Sequence, residues 1–213
     1  MLESFVANFS RTAASSKADA PNFSTGRTLT VAARALFAKH KDSQWYLTGG
    51  ESQECECKRA FDPSRLAPVV RAVAALANNR GGYIFFGVID RGGRVEGIDS
   101  TFIDTDMARI MEKIKAYLSP TPSITAKETI EFDGKIVGFI RVERHENRPV
   151  IIYRDGDGLN EGEILFRYPG QSSRIKFGDL RAMLEERDRR TQIALADAAG
   201  RMANIGTANR VNH

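Results

Sequence analysis

"ECECKRAFDPSRLAPVVRAVAALANNRGGYIFFGVID", residues 54–90, is the stretch on which the fold turns. Its opening residues alternate, which sets Cys55 and Cys57 on one face of a strand and Glu54, Glu56 and Lys58 on the other. Cysteine is among the most buried residue types, so the cysteines face inward and the charged residues line the opposite surface. Asp62 then offers an N-cap, Pro63 suits a first helical position, and Leu66, Val69, Val70, Val73, Leu76 and Ala77 recur along one buried helix face. Gly81 and Gly82 stop the helix. "YIFFGVID" is a near-continuous apolar run, the pattern of a strand covered on both faces. Strand, helix and strand make a βαβ unit, with its strands parallel in one sheet and a right-handed crossover.

Upstream, Gly49-Gly50 breaks the chain, and "LTVAARALFAKH" places Leu29, Ala32, Ala33, Leu36 and Phe37 at helical spacing, a short helix ending near Lys41. Residues 10–28, rich in Ser, Thr, Ala and Gly, show no periodic face and read as a poorly ordered linker. Downstream, "DMARIMEKIKAYL" is a second amphipathic helix with Met107, Ile110, Met111, Ile114, Tyr117 and Leu118 inward. Asp133-Gly134 turns strand "ITAKETIEF" into strand "KIVGFIRVE". "PVIIY" and "EILFRY" are further strands around a Gly-rich loop, and "FGDLRAMLEERDRR" is a closing helix followed by an Ala-rich tail. The expected class is α/β (α+β): a mixed sheet with a βαβ unit, hairpin strands and flanking helices. One domain over residues 29–190 lies between an N-terminal segment, 1–28, and a tail, 191–213.

The 213 residues, 42% hydrophobic and 27% charged, suit a soluble globular protein. No apolar run approaches the roughly 18 residues of a membrane helix. Two cysteines one residue apart cannot supply a disulfide framework, and the opening "MLESFVANFSRTAASSKADAP" lacks a basic start followed by an apolar stretch. A cytoplasmic protein without a membrane partner follows. The net charge of +4 and pI near 9.2 permit an anionic partner without requiring one.

Several sites are excluded by spacing. No G-x-x-x-x-G-K-[ST] loop is present, so a P-loop ATPase is not supported. "DGDGLNEGE" has Leu159 and Asn160 where a calcium loop needs an acid or amide and a glycine. Cys55-x-Cys57 has no second Cys pair, and His40, His145 and His213 are scattered, so buried strand cysteines are the better reading than zinc. One constellation survives. Asp90 ends the second strand, at the carboxyl end where open parallel sheets bind ligands; Glu56 lies on the first strand, and Glu51 in the turn leading into it. Three carboxylates there, with Lys58 nearby, suit Mg²⁺ or Mn²⁺. The alternative is that Glu54 and Glu56 pair with Lys58 and Arg59 on a solvated face.

"ESQECECK" followed by "ALANNRGGYIFFGVIDRGGRVEGI" resembles the Schlafen AlbA-like domain family, which shows E-S-x-x-x-E-F-K, then A-x-A-N-T-x-G-G and G-V-D-D-x-G. "NRPVIIY" is similar to its R-P-x-Y stretch and "LFRYPGQSSR" to its x-x-R-x-G-S element, so the resemblance spans residues 48–186. Cys57 stands for the usual Phe, Asn79 for Thr and Ile89 for the first Asp of the pair, and one extra residue precedes Gly97. The resemblance implies a nucleic-acid-binding domain, since members are mainly described as DNA-binding domains of bacterial regulators. It also implies an alternative, because some animal members are endoribonucleases that cut structured RNA through two glutamates and an aspartate. Those acids fall on Glu51, Glu56 and Asp90; if the catalytic aspartate is the first of the pair, Ile89 has replaced it and the protein only binds.

Three functions therefore compete. In a nucleic-acid-binding module for DNA or RNA, Lys58, Arg59, Arg80, Arg91, Arg94, Arg167 and Arg174 neutralise phosphates. A ribonuclease would add metal-bound acids, and a protein-interaction module would use neither. Pairing of two copies through a sheet edge, a homodimer, is the assembly such a lobe suggests.

Overall fold

The computed structural model describes residues 23–208. The chain enters through α1 (Phe23–Arg34), which takes up residues 23–28 of the expected linker; the remainder of that linker lies outside the described residues. Phe37 does not extend the helix. It opens β1 (Phe37–Lys39), which pairs antiparallel with β2 (Trp45–Leu47). Phe37 presents its ring to Phe85 at 5.0 Å and Phe132 at 4.8 Å, and burial of that ring outweighs helical spacing.

β3 (Cys55–Lys58), α2 (Ala67–Asn78) and β4 (Gly82–Phe86) form the expected βαβ unit, with β3 and β4 parallel and Cys55 opposite Tyr83. The helix begins later than its capping signals indicate. Asp62 accepts from the Ser64 amide at 2.8 Å in a turn ahead of α2, and Pro68 takes the first-turn position assigned to Pro63. The stop is as read: the Gly81 amide donates back to the Leu76 carbonyl at 2.9 Å with Gly81 at φ +73°.

After a short α3 (Thr101–Asp104), α4 (Met107–Tyr117) starts at Asp106, whose carboxylate accepts from the Ala108 amide, and buries Ile110, Ile114 and Tyr117. β5 (Leu118–Ser119) leads to the hairpin β6 (Ile124–Phe132) and β7 (Lys135–Val142), turned by Asp133 and Gly134, both at positive φ. The principal sheet runs β3-β4-β7-β6, parallel at its first pair and antiparallel at the other two. β8 (Ile151–Ile152) pairs with β5, and β9 (Leu165–Tyr168) with β10 (Gln171–Arg174), a strand the sequence reading left out. α5 (Phe177–Ala208) continues without a break past Arg190, where the expected helix ended.

Alternate β4 and β7 side chains feed two cores. Ile84, Phe86, Ile140 and Val142 pack toward α2 and α4. Phe85, Phe139 and both cysteines pack the other way, with Ala33, Phe37 and Leu47 from α1 and the first hairpin. A strand covered on both faces is what the apolar run of β4 requires.

Gly82 lies against the backbone of Glu54, the residue before β3. A Cβ built there lies 2.1 Å from the Glu54 carbonyl oxygen, at φ +144°. Gly82→Ala should therefore cost about 2 kcal/mol or more and lower the melting temperature by roughly 4–8 °C in a thermal melt. An unchanged melt would contradict the β3–β4 pairing.

Candidate nucleic-acid interface

β3 is an edge strand, so every second amide and carbonyl points away from the sheet and needs a partner. The acidic turn supplies them. The Cys57 amide donates to the Glu51 carboxylate at 2.9 Å, the Cys55 amide to Ser52 Oγ at 3.1 Å, and the Ser52 amide donates to the Cys55 carbonyl at 3.0 Å. Residues 51–54 thus lie along the edge in place of a neighbouring strand.

Arg167 completes the closure. Its side chain, 1% exposed, donates through Nε to the Ser52 carbonyl at 2.9 Å and through Nη2 to the Cys55 carbonyl at 2.7 Å. Nη1 donates to the Glu56 carboxylate and to Ser172 Oγ, and Nη2 lies 3.4 Å from the Glu51 carboxylate. A buried guanidinium is tolerated only with its charge paired and its N–H groups satisfied, and these partners do both. Glu56 is accordingly covered, its side chain 12% exposed beneath the β9–β10 hairpin, and is not the solvated residue its strand alternation implied.

The end of α2 holds that hairpin. The buried Asn78 amide donates to the Val150 and Leu165 carbonyls at 2.8 and 2.9 Å, and its oxygen accepts from the Val150 amide at 2.7 Å. Asn79 donates to the Arg167 carbonyl at 2.6 Å. These asparagines, in the sequence only part of a motif, are what position the arginine.

Asp90 stands exposed in the turn after β4 and shares with Glu51 the wall of a cleft of about 870 Å³. Burial pushes the Glu51 carboxyl above its ordinary value; the Cys57 amide and Arg167 oppose this, while the charges of Glu56 and Asp90 reinforce it. The two cysteines are free and buried, and burial pushes both thiols up. The residues do not fit the divalent metal that the three acids suggested. Glu51 and Glu56 are already bound to Arg167, and among the described residues no three Asp, Glu, His or Cys side chains are grouped to hold an ion.

The seven cations expected to meet phosphate separate into groups. Arg167 is inside the protein and fully engaged. Lys58 turns back to Glu56 at 2.9 Å. Arg59 and Arg94 both bind Glu96, and Arg59 and Arg91 line a shared hollow with Ile89 and Asp90, at the carboxyl end of the parallel pair. Arg80 precedes β4, at the opposite end, 3.7 Å from Glu54. Arg174, opposite Leu165 in the hairpin ladder, lies at the far end of that hairpin from the Gly170 turn. The cleft has a second wall that sequence reasoning missed, His40 and Tyr46, because it is built on the unforeseen β1–β2 hairpin.

Fold and site thus define a mixed α/β domain whose acidic turn is locked to a buried arginine beside a cleft that Arg91, Glu51 and Asp90 share. The Schlafen, AlbA_2 family model matches residues 51–176, and the chain belongs to that family, which places it among nucleic-acid-related domains. An uncharacterized ATP-binding protein of Ureaplasma parvum is 25% identical over 178 residues, covering 76% of this chain; the chain spans about half of that relative, 50%. A Corynebacterium diphtheriae protein of known crystal structure aligns with a TM-score of 0.48 at 16% identity, over 70% of this chain and 27% of its own. No helix among the described residues is long and apolar enough to cross a membrane.

Two outcomes test this lock. Arg167→Met strands two covered carboxylates and should cost about 3–5 kcal/mol in urea unfolding, with much of the loss recovered when Glu51→Gln and Glu56→Gln are added. Glu51 also sets a pH dependence. Because its folded pKa is raised, its contribution is fully present below the unfolded value and is lost as pH rises through the folded value. Glu51→Gln, which cannot ionise, should therefore gain in urea midpoint relative to wild type as pH rises above about 4. A constant difference would contradict the raised carboxyl.

Proposed function

We propose that the domain binds nucleic acid through its phosphates at the carboxyl end of the β3–β4 pair. The observation that carries this reading is the gathering of Arg59, Arg91 and Arg94 at that end, beside the cleft. Ligands of open sheets collect at the carboxyl ends of parallel strands, and exposed arginines there are suited to phosphate oxygens. Glu96 and Asp90 offset two of the three arginine charges there, leaving one net positive charge, and Arg91 makes no ion pair among the described residues. Membership of the family supports the same reading. A role as a cytoplasmic, DNA-binding regulator is the finer form of it. Arg80, Arg167 and Arg174 fall outside the proposed phosphate path. A homodimer through a sheet edge would use β6, since Glu51, Ser52 and Arg167 close the β3 edge.

The test is binding of tRNA and duplex DNA at 50 and 200 mM salt, with and without Mn²⁺. Three phosphate contacts predict a loss of about 40-fold in affinity across that range, and Arg91→Ala should reduce the salt slope by about one. Salt-independent binding, or none at low salt, would favour a protein-interaction module. Cleavage of the RNA with Mn²⁺ would instead require the Glu51 and Glu56 carboxylates to leave Arg167, and would make the domain a nuclease.

A further inference from the structure

We propose that His40 and Tyr46 form a base-stacking wall of the cleft, so that the preferred ligand is a single strand offering an unstacked base. This rests on the nucleic-acid reading and narrows it to one class of substrate. The His40 and Tyr46 rings lie 4.4 Å apart between centroids at 37°. His40 is exposed and Tyr46 half-buried, and neither belongs to the residues packed on the core behind the β1–β2 hairpin. Aromatic rings held together at a surface, outside the core they adjoin, are free to receive a third planar group.

The wall is held in place beforehand. Tyr46 donates its hydroxyl to the Asp42 carboxylate at 2.7 Å, and Asp42 also accepts from the Gln44 amide at 3.0 Å. The His40 amide donates to the Gln44 carbonyl at 2.9 Å and closes the loop. The bond between Tyr46 and Asp42 shows in both groups: it raises the phenol above its ordinary value and lowers the carboxyl.

Besides the rings, the Glu51 and Asp90 carboxylates and Arg91, the cleft is lined by glycine backbone. Gly49, Gly50, Gly92 and Gly170 all line it at positive φ, and a Cβ at any of them would meet nothing within 4 Å. That leaves room for a flat ring with backbone groups within reach, and the cleft volume, about 870 Å³, is in the range of small-molecule sites. Phosphate contacts are in register with the wall: Tyr46 bridges Arg94 through the backbone, and Arg91 lines the same cleft. A base between glycines and aromatic rings with its phosphate toward arginines is the arrangement by which single strands are bound without sequence preference. A duplex keeps its bases stacked on each other and cannot offer one to the wall.

The experiment uses a short single-stranded oligonucleotide carrying 2-aminopurine and a duplex of the same sequence, at low salt. The wild type should quench the 2-aminopurine on binding. His40→Ala should abolish the quench and weaken single-strand binding about tenfold, with a smaller loss for the duplex. Tyr46→Phe, which keeps the ring and removes its tie to Asp42, should fall between. Equal single-strand affinity for wild type and His40→Ala, with salt-sensitive binding preserved, would overturn the stacking wall alone. Tighter binding of ATP alone than of the single strand would overturn it in favour of a free nucleotide. Failure of the wild type to bind either oligonucleotide would overturn the nucleic-acid reading beneath it.

Discussion

A buried arginine against an open sheet edge is the interaction on which the site depends. Arg167 carries a full charge into a place with 1% exposure, where desolvation would be prohibitive unless each face of the guanidinium met an acceptor. The acceptors are two β3-edge carbonyls, one serine hydroxyl and the carboxylates of Glu51 and Glu56. The edge in turn needs them, because outward amides and carbonyls without partners would invite another strand. Each half of the arrangement satisfies what the other leaves unsatisfied. A cation, an acidic turn and a strand edge are stable together and costly apart.

This lock determines how the rest of the chain is used. The asparagines that end α2 hold β9, and β9 presents Arg167; Arg148, also buried, joins the Asn78 carbonyl to Glu186 of α5. The βαβ unit, the second hairpin and the closing helix are thereby connected through polar groups as well as through the apolar cores. Glu51 and Glu56 are both engaged in this connection. What stays accessible is the loop after β4, with Asp90, Arg91 and Arg94, and the first hairpin facing it across the cleft.

Legibility in the sequence followed the range of the forces involved. The βαβ unit, α4 and the β6–β7 turn were visible, because alternation, helical spacing and an Asp-Gly pair are local signals that survive in any tertiary setting. The start of α2 was misplaced by a local signal that was real but served another turn, where Asp62 accepts from Ser64. β1 was hidden because Phe37 sits at helical spacing after Ala33, and only the rings of Phe85 and Phe132 make a strand the better state there. β10 has an exposed or half-exposed polar pattern, Gln171–Arg174, with no apolar alternation to announce it.

For the site, the sequence by itself placed Glu51, Glu56 and Asp90 on or beside a parallel strand pair, because a βαβ crossover makes its two strands parallel. It also showed the basic residues of the neighbouring loops. Only the tertiary structure decided what the acids face. Arg167 is 111 positions from Glu56 in sequence, a separation across which no periodicity or spacing rule operates. The aromatic wall has the same origin: His40 and Tyr46 reach the cleft only because Leu47 and Gly93 bring the first hairpin against the loop after β4. Local patterns set the elements; which charges cancel and which remain at the surface is a property of the packed chain, because burial and pairing exist only once distant segments meet.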